Sequence, residues 1–192
     1  MKLEDINIYQ LSQPRTGSTL LLNILYGLLY PLDEPCSNYK IIKSHNFGVE
    51  NIIDACVNKK GETLRYHLKH DDVREMVKNE KNYIICSQRT EDKDQPVLHP
   101  STGPGYGWVT NPNVIIIDYE NLLETESNSV ADIVNHVANK LKNTLPKDIE
   151  INVENGIKRI ENMNEFYKTI KHLPFSYVEN FYFLHGHHRN RG

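Results

Sequence analysis

Cysteine is scarce in this chain. Three of 192 residues are cysteines (Cys36, Cys56 and Cys86), an odd set with no close spacing. That excludes a disulfide framework and a cysteine-based zinc site, and it predicts a reducing compartment. Basic residues are not in excess. The net charge of −3 argues against a general nucleic-acid binder and confines any anion site to a local basic pocket. Long hydrophobic runs are missing too. The longest, residues 20–32, is broken by Asn23, Gly27 and Pro31 and is too short to cross a bilayer. The opening Met-Lys-Leu-Glu-Asp has no apolar segment, so no secretory leader is expected. These shortages predict a soluble, cytoplasmic protein with no membrane partner. The rest is ordinary: 39% hydrophobic and 24% charged residues, no internal repeat, and a length that suits one domain over residues 1–192.

A more specific absence lies near the start. Residues 11–23 read LSQPRTGSTLLLN, close to a phosphate-binding loop without its lysine. The nucleoside triphosphatase pattern G-x-x-x-x-G-K-[ST] uses that lysine to reach the β- and γ-phosphates. Aligned on Gly17, the chain has Ser12 for the first glycine and Ser18 for the lysine; only Thr19 fits. The basic residue has moved to Arg15. A strand, a tight glycine turn and a helix offer backbone amides and a partial positive charge to an anion. Gly17 permits close approach, Ser18 and Thr19 add hydroxyls, and Arg15 adds a forked cation.

Alternation and β-formers predict a strand over residues 4–11, and shorter strands over 40–43 and 63–69. Residues 82–87 (NYIICS) and 113–118 (NVIIID) read as buried strands. A helix that is apolar nearly all round is expected over 18–30, an acid-led helix over 71–79, and an amphipathic helix over 127–142. A long helix is expected over 153–171, and residues 49–58 are also read as helical. Strands alternating with helices indicate an α/β domain with a mostly parallel sheet, whose ligands sit beyond the carboxyl ends of the strands. Residues 13–19, Ser44-His45 and Arg89 all fall at such ends.

The stretch P-R-T-G-S-T before an apolar helix resembles the 5′-phosphosulfate loop of sulfotransferases that use 3′-phosphoadenosine 5′-phosphosulfate (PAPS). In that family the loop runs P-[KR]-[ST]-G-[ST]-[ST]. Three further stretches resemble the family in the expected order. Residues 41–45 (IIKSH) are similar to its K-[ST]-H segment, residues 83–89 (YIICSQR) to the strand ending in the 3′-phosphate arginine, and residues 114–122 (VIIIDYENL) to its Y-E-[DN]-L strand. The resemblance covers residues 5–125; residues 157–163 and the basic tail fit more loosely. It implies a P-loop-type, three-layer α/β/α fold with a central, mostly parallel sheet of about five strands.

The resemblance also implies sulfuryl transfer from PAPS, leaving 3′-phosphoadenosine 5′-phosphate (PAP), to an acceptor hydroxyl or amine. His45 would be the base, and Lys43 and Arg15 would stabilise charge on the transferring group. Pro14, Arg15, Thr16, Gly17, Ser18 and Thr19 would hold the 5′ end of the nucleotide. Arg89, with Ser101, Arg189, Arg191 and Gly192, would hold the 3′-phosphate. No metal is expected, because Arg and Lys supply the positive charge, and the partner is a small-molecule or glycan acceptor rather than a nucleic acid. Tyr119 and Glu120 read as structural.

The chain departs from the family in several places. Val97 stands where the family has a serine after the strand-end arginine, with Ser101 the nearest one downstream. Residues 88–112 are rich in Pro and Gly and read as a lid, with Tyr106 and Trp108 facing the acceptor. The family's R-K-G loop has at best a shortened counterpart in residues 189–192. The chain is short for the family, so acceptor-covering elements are either missing or supplied by another copy in an oligomer. The histidines of residues 185–192 fit no zinc spacing. Two other readings stay open: a P-loop kinase using Asp118 for magnesium, against which Ser18 counts, and a non-catalytic nucleotide-binding protein of the same fold.

Overall fold

In the computed structural model, the described residues are 1–12, 16–32, 41–45, 53–59, 62–68, 70–90, 106–173, 178–179, 181–182 and 184–185. They form strands β1 (Asn7–Ser12), β2 (Ile41–His45), β3 (Ile53–Lys59), β4 (Glu62–Leu68), β5 (Asn82–Gln88) and β6 (Val114–Asp118). The helices are α1 (Ser18–Leu29), α2 (His70–Met76), α3 (Val130–Thr144) and α4 (Val153–Ile170), and a small hairpin pairs β7 (Val178–Glu179) with β8 (Leu184–His185).

The mixed α/β architecture is as expected. The sheet has six strands rather than about five, in the order β4-β3-β2-β1-β5-β6. Strands β2, β1, β5 and β6 are parallel to one another, β3 pairs antiparallel with β2, and β4 pairs antiparallel with β3 at the edge. Part of that edge corrects the sequence reading: the expected helix over residues 49–58 is strand β3 from Ile53 onward. The run IIDACV is short and apolar, which periodicity alone cannot divide between helix and strand. Its ladder with β4, from Ile53↔Leu68 to Lys59↔Glu62, decides the outcome. The first strand also begins later than expected, because residues Leu3–Asp5 form a 3₁₀ turn.

Side chains of the parallel strands alternate between two cores, as the period of two requires. Ile8, Tyr83, Ile85, Ile115 and Ile117 face the cluster built on α1, α3 and α4. Leu11, Ile84 and Cys86 face a smaller cluster with Val73, Val77 and Trp108. β5 is buried along its whole length, which explains its unbroken apolar sequence. Burial pushes the Cys86 thiol well above its usual range, so it is a packing group and not a nucleophile. Trp108, only 3% exposed, is a core residue and not an acceptor-facing one as expected.

Helix ends follow local chemistry. α3 starts at Val130, not at residue 127, because Ser129 and Asp132 form a capping box, with Asp132 Oδ2 accepting from Ser129 N at 2.9 Å. Asn152 caps α4 by accepting from Asn155 N at 2.9 Å. Its own amide donates to Leu28 O at 2.8 Å, tying the start of α4 to the end of α1. The two helices touch at glycine. A Cβ on Gly27 would lie 2.7 Å from Gly156 Cα and 2.9 Å from Asn155 O, so backbone meets backbone.

A buried cation fastens the C-terminal hairpin onto this helix pair. Arg159 of α4 is 1% exposed. It donates to Asn23 Oδ1 at 3.1 Å and to Phe181 O at 2.7 Å. Its guanidinium lies over Phe181, Tyr26 and Tyr182 at 4.7, 5.4 and 5.4 Å from the ring centroids. Asn23 completes the link by donating to Tyr182 O at 2.8 Å.

Two outcomes follow. Gly27→Ala lowers the thermal midpoint, although alanine gains about 1 kcal/mol of helix propensity over glycine. The backbone clash outweighs that gain, with an expected net loss of about 1–3 kcal/mol in denaturant titration. Arg159→Met keeps much of the volume but strands two oxygen acceptors, costing about 2–4 kcal/mol. Limited proteolysis should then cut first within residues 174–185; cutting no faster than wild type would refute the fastening role.

Candidate functional site

The chain leaves β1 toward β2 on one side and later returns, through α2, to β5 on the other. β1 is therefore the point where the strand order reverses, and the crevice beyond its carboxyl end is where open α/β sheets hold ligands. Of the expected site residues that are described, Thr16, Gly17, Ser18, Thr19, His45 and Arg89 lie along this rim. The register pairs Ser12 with His45 and Gln88 with Asp118, and the Gln10↔Ile85 pairing between β1 and β5 brings the ends of the four parallel strands level to within about one residue. Lys43 pairs with Gln10, two residues before this rim.

The turn between β1 and α1 is built for tight reversal. Gly17 adopts φ +70°, a left-handed conformation strained for any other residue. A Cβ there would lie 3.1 Å from Tyr119 Cδ2 and 3.3 Å from Leu122 Cδ1. Gly17 occupies the N-cap position of α1 and has no side chain to bond the first-turn amides, and its carbonyl opens the helical ladder by accepting from Leu21 N at 2.9 Å. Ser18 and Thr19, 6% and 8% exposed, form the first turn.

Beneath the turn lies a buried polar network that the sequence reading missed. Gln10 Nε2 donates to Ser12 Oγ at 2.9 Å and to Ser18 O at 2.7 Å. Ser87 N donates to Ser12 Oγ at 3.4 Å. Thr16 Oγ1 donates to Ser87 O at 3.1 Å and lies 2.7 Å from Ser87 Oγ. Both ends of the segment 13–15 are thus held to one residue of β5. The available signal was the presence of Gln10 and Ser87 inside otherwise apolar strands, where a buried polar side chain needs partners.

Arg89 follows β5, half-buried, with its guanidinium 4.4 Å from the Tyr119 ring centroid. Tyr119 therefore packs beside both the loop glycine and the strand-end arginine. Thr90 N donates to Glu120 Oε2 at 3.4 Å. Asp118 accepts from Gln88 Nε2 at 3.0 Å. His136 of α3 is held below the usual imidazole range by burial and then by Lys140, with Asp118 acting in the opposite sense.

The structure thus brings Thr16, Gly17, Ser18, Thr19 and Arg89 to one rim and sets the backbones of Lys43 and His45 on the adjoining strand. Pro14, Arg15, Ser101, Arg189, Arg191 and Gly192 lie outside the described residues, as does residues 91–105 of the expected lid. Among the described residues, no group of three or more His, Cys, Asp and Glu side chains could hold a metal ion, and no helix is long and apolar enough to cross a membrane. No protein-family model, curated protein or solved structure matches this chain.

Gly17→Ala combines a disfavoured φ with a tight contact to Tyr119. It should cost about 1–2 kcal/mol by denaturant titration. An alanine variant as stable as wild type would mean that the turn relaxes freely.

Proposed function

We propose that this protein transfers a sulfuryl group from PAPS to an acceptor hydroxyl or amine, on a P-loop-type three-layer scaffold. The observation that carries the reading is the P-R-T-G-S-T turn at the switch point of the sheet. Its Gly17 is left-handed, its Ser18 and Thr19 open a buried helix, and Arg89 stands at the end of the next strand. A triphosphate with magnesium calls for a lysine at position 18; a 5′-phosphosulfate does not. Asp118 is already bonded to Gln88, which fits a structural role better than the magnesium ligand of a kinase.

In this reading the first-turn amides of α1 and the Ser18 and Thr19 hydroxyls take the 5′-phosphate, with Arg15 beside the reacting group. Arg89 takes the 3′-phosphate. Lys43 balances charge on the transferring oxygens, and His45 removes the acceptor's proton as its oxygen or nitrogen attacks sulfur and the bond to the bridging phosphate oxygen breaks. Ser101 and the basic residues 189–192 add to the 3′-phosphate site, and the acceptor is a small molecule or glycan.

Calorimetric titration tests the nucleotide first. PAP should bind without magnesium and more tightly than ATP. Arg89→Ala should weaken PAP more than adenosine 5′-phosphosulfate, which lacks the 3′-phosphate. Magnesium-dependent ATP binding with no response to PAP would overturn the proposal in favour of a kinase. With an acceptor in hand, His45→Ala should lose on the order of 10²-fold in turnover while PAP affinity is retained.

A further inference from the structure

Ser12 and Thr16 bracket the loop, and both bond to Ser87, whose hydroxyl is fully buried. One assignment of the two hydroxyl protons satisfies both Thr16 contacts: Thr16 donates to the Ser87 carbonyl and Ser87 donates to Thr16 Oγ1. The pair is 1% and 0% exposed, so water cannot replace either bond cheaply. Ser87 is two residues before Arg89 on the same strand end. Arg89 is joined to the loop by a second route as well, through the Tyr119 ring that also meets Gly17.

We infer that the Thr16–Ser87 pair is a positioning device that couples the loop holding one end of the nucleotide to the arginine holding the other. This rests on the nucleotide reading above and goes beyond it, because neither hydroxyl needs to touch the ligand for the coupling to exist. A phosphate bound in the loop fixes Thr16 and, through it, the Ser87 peptide from which Arg89 projects. A second phosphate at Arg89 then finds its site already ordered and loses less conformational freedom on binding. The two phosphates of one nucleotide therefore bind cooperatively, and a ligand carrying only one of them gains less than its share. The coupling favours a 3′,5′-bisphosphorylated nucleoside over the more abundant monophosphates.

The test is a thermodynamic cycle on the ligand, measured with the full chain. Adenosine, adenosine 5′-phosphate, adenosine 3′-phosphate and PAP are titrated, the weak ones by competition. In wild type, adding the 3′-phosphate to adenosine 5′-phosphate should improve affinity at least about 5-fold more than adding it to adenosine, the lower range of measured couplings. Thr16→Val, which keeps the shape and removes the hydroxyl, should bring that ratio clearly below the wild-type value, with the Tyr119 route left in place, and Thr16→Ser should restore it. Ser87→Ala serves the same purpose if Thr16→Val does not fold.

A merely structural role would lower stability and weaken all four ligands together, leaving the ratio unchanged; that result overturns the inference. So does a wild-type ratio of one with PAP well bound, which leaves the nucleotide reading intact. Failure of PAP to bind at all overturns both.

Discussion

The candidate site depends on a buried hydroxyl bridge between two strand ends. Thr16 and Ser12 reach it from the β1 side and Ser87 from β5, with Gln10 holding Ser12 and the first carbonyl of α1. A three-residue segment with free ends would sample many conformations, each ordered residue costing about 1–2 kcal/mol of backbone entropy. Ser12 and Thr16, the residues that flank it, are both held to Ser87, which restricts the two points between which it runs. The network lies in low-dielectric surroundings where a polar group without a partner is expensive, and within it the Gln10 amide donates twice while its Oε1 is buried with no partner among the described residues.

The placement of that bridge follows from topology. β1 lies between β2 and β5 with all three parallel, and in open α/β sheets the crevice beyond the carboxyl end of such a strand is where ligands sit. The helix that follows must be buried, since it fills the angle between the sheet, α3 and α4. Its sequence is correspondingly apolar on every side, with only Leu20 among its twelve residues not fully buried. Gly27 allows α4 to approach at backbone distance, and α4 in turn holds the hairpin of residues 178–185 through Arg159. Rigidity behind the loop thus comes from packing, and its outer shape from Gly17.

Much of this was legible in the sequence. The apolar runs ending at Ser87 and Asp118 located one central strand and one edge strand, and PRTGST before an all-apolar helix located the turn. The β3–β4 hairpin was only half visible. Residues 63–69 alternate and read as a strand, but their partner IIDACV does not, and Lys60-Gly61 between them was the missed cue. Trp108 misled because aromatics in a glycine-rich stretch, here Tyr106 and Trp108, suggest an exposed lid. Its burial against Val73, Val77 and Leu11 is a long-range contact with no local sequence signal. The Thr16–Ser87 bond was equally invisible, since it joins residues far apart in the chain.

Arg89 and Arg159 make the same point with one side-chain type. Both guanidiniums lie over aromatic rings, Arg89 over Tyr119 and Arg159 over Tyr26, Phe181 and Tyr182. Arg159 is sealed from water and directs two bonds to oxygens of its own chain, so its charge is used to hold elements together. Arg89 is half-exposed at the rim of the sheet, next to the turn whose helix presents its positive end. A cation in that position raises the local potential in a chain whose net charge is −3. Sequence spacing can nominate either arginine as an anion-binding group. Burial assigns Arg159 to the core, whereas Arg89 is half-exposed at a strand end, which suits the role proposed for it.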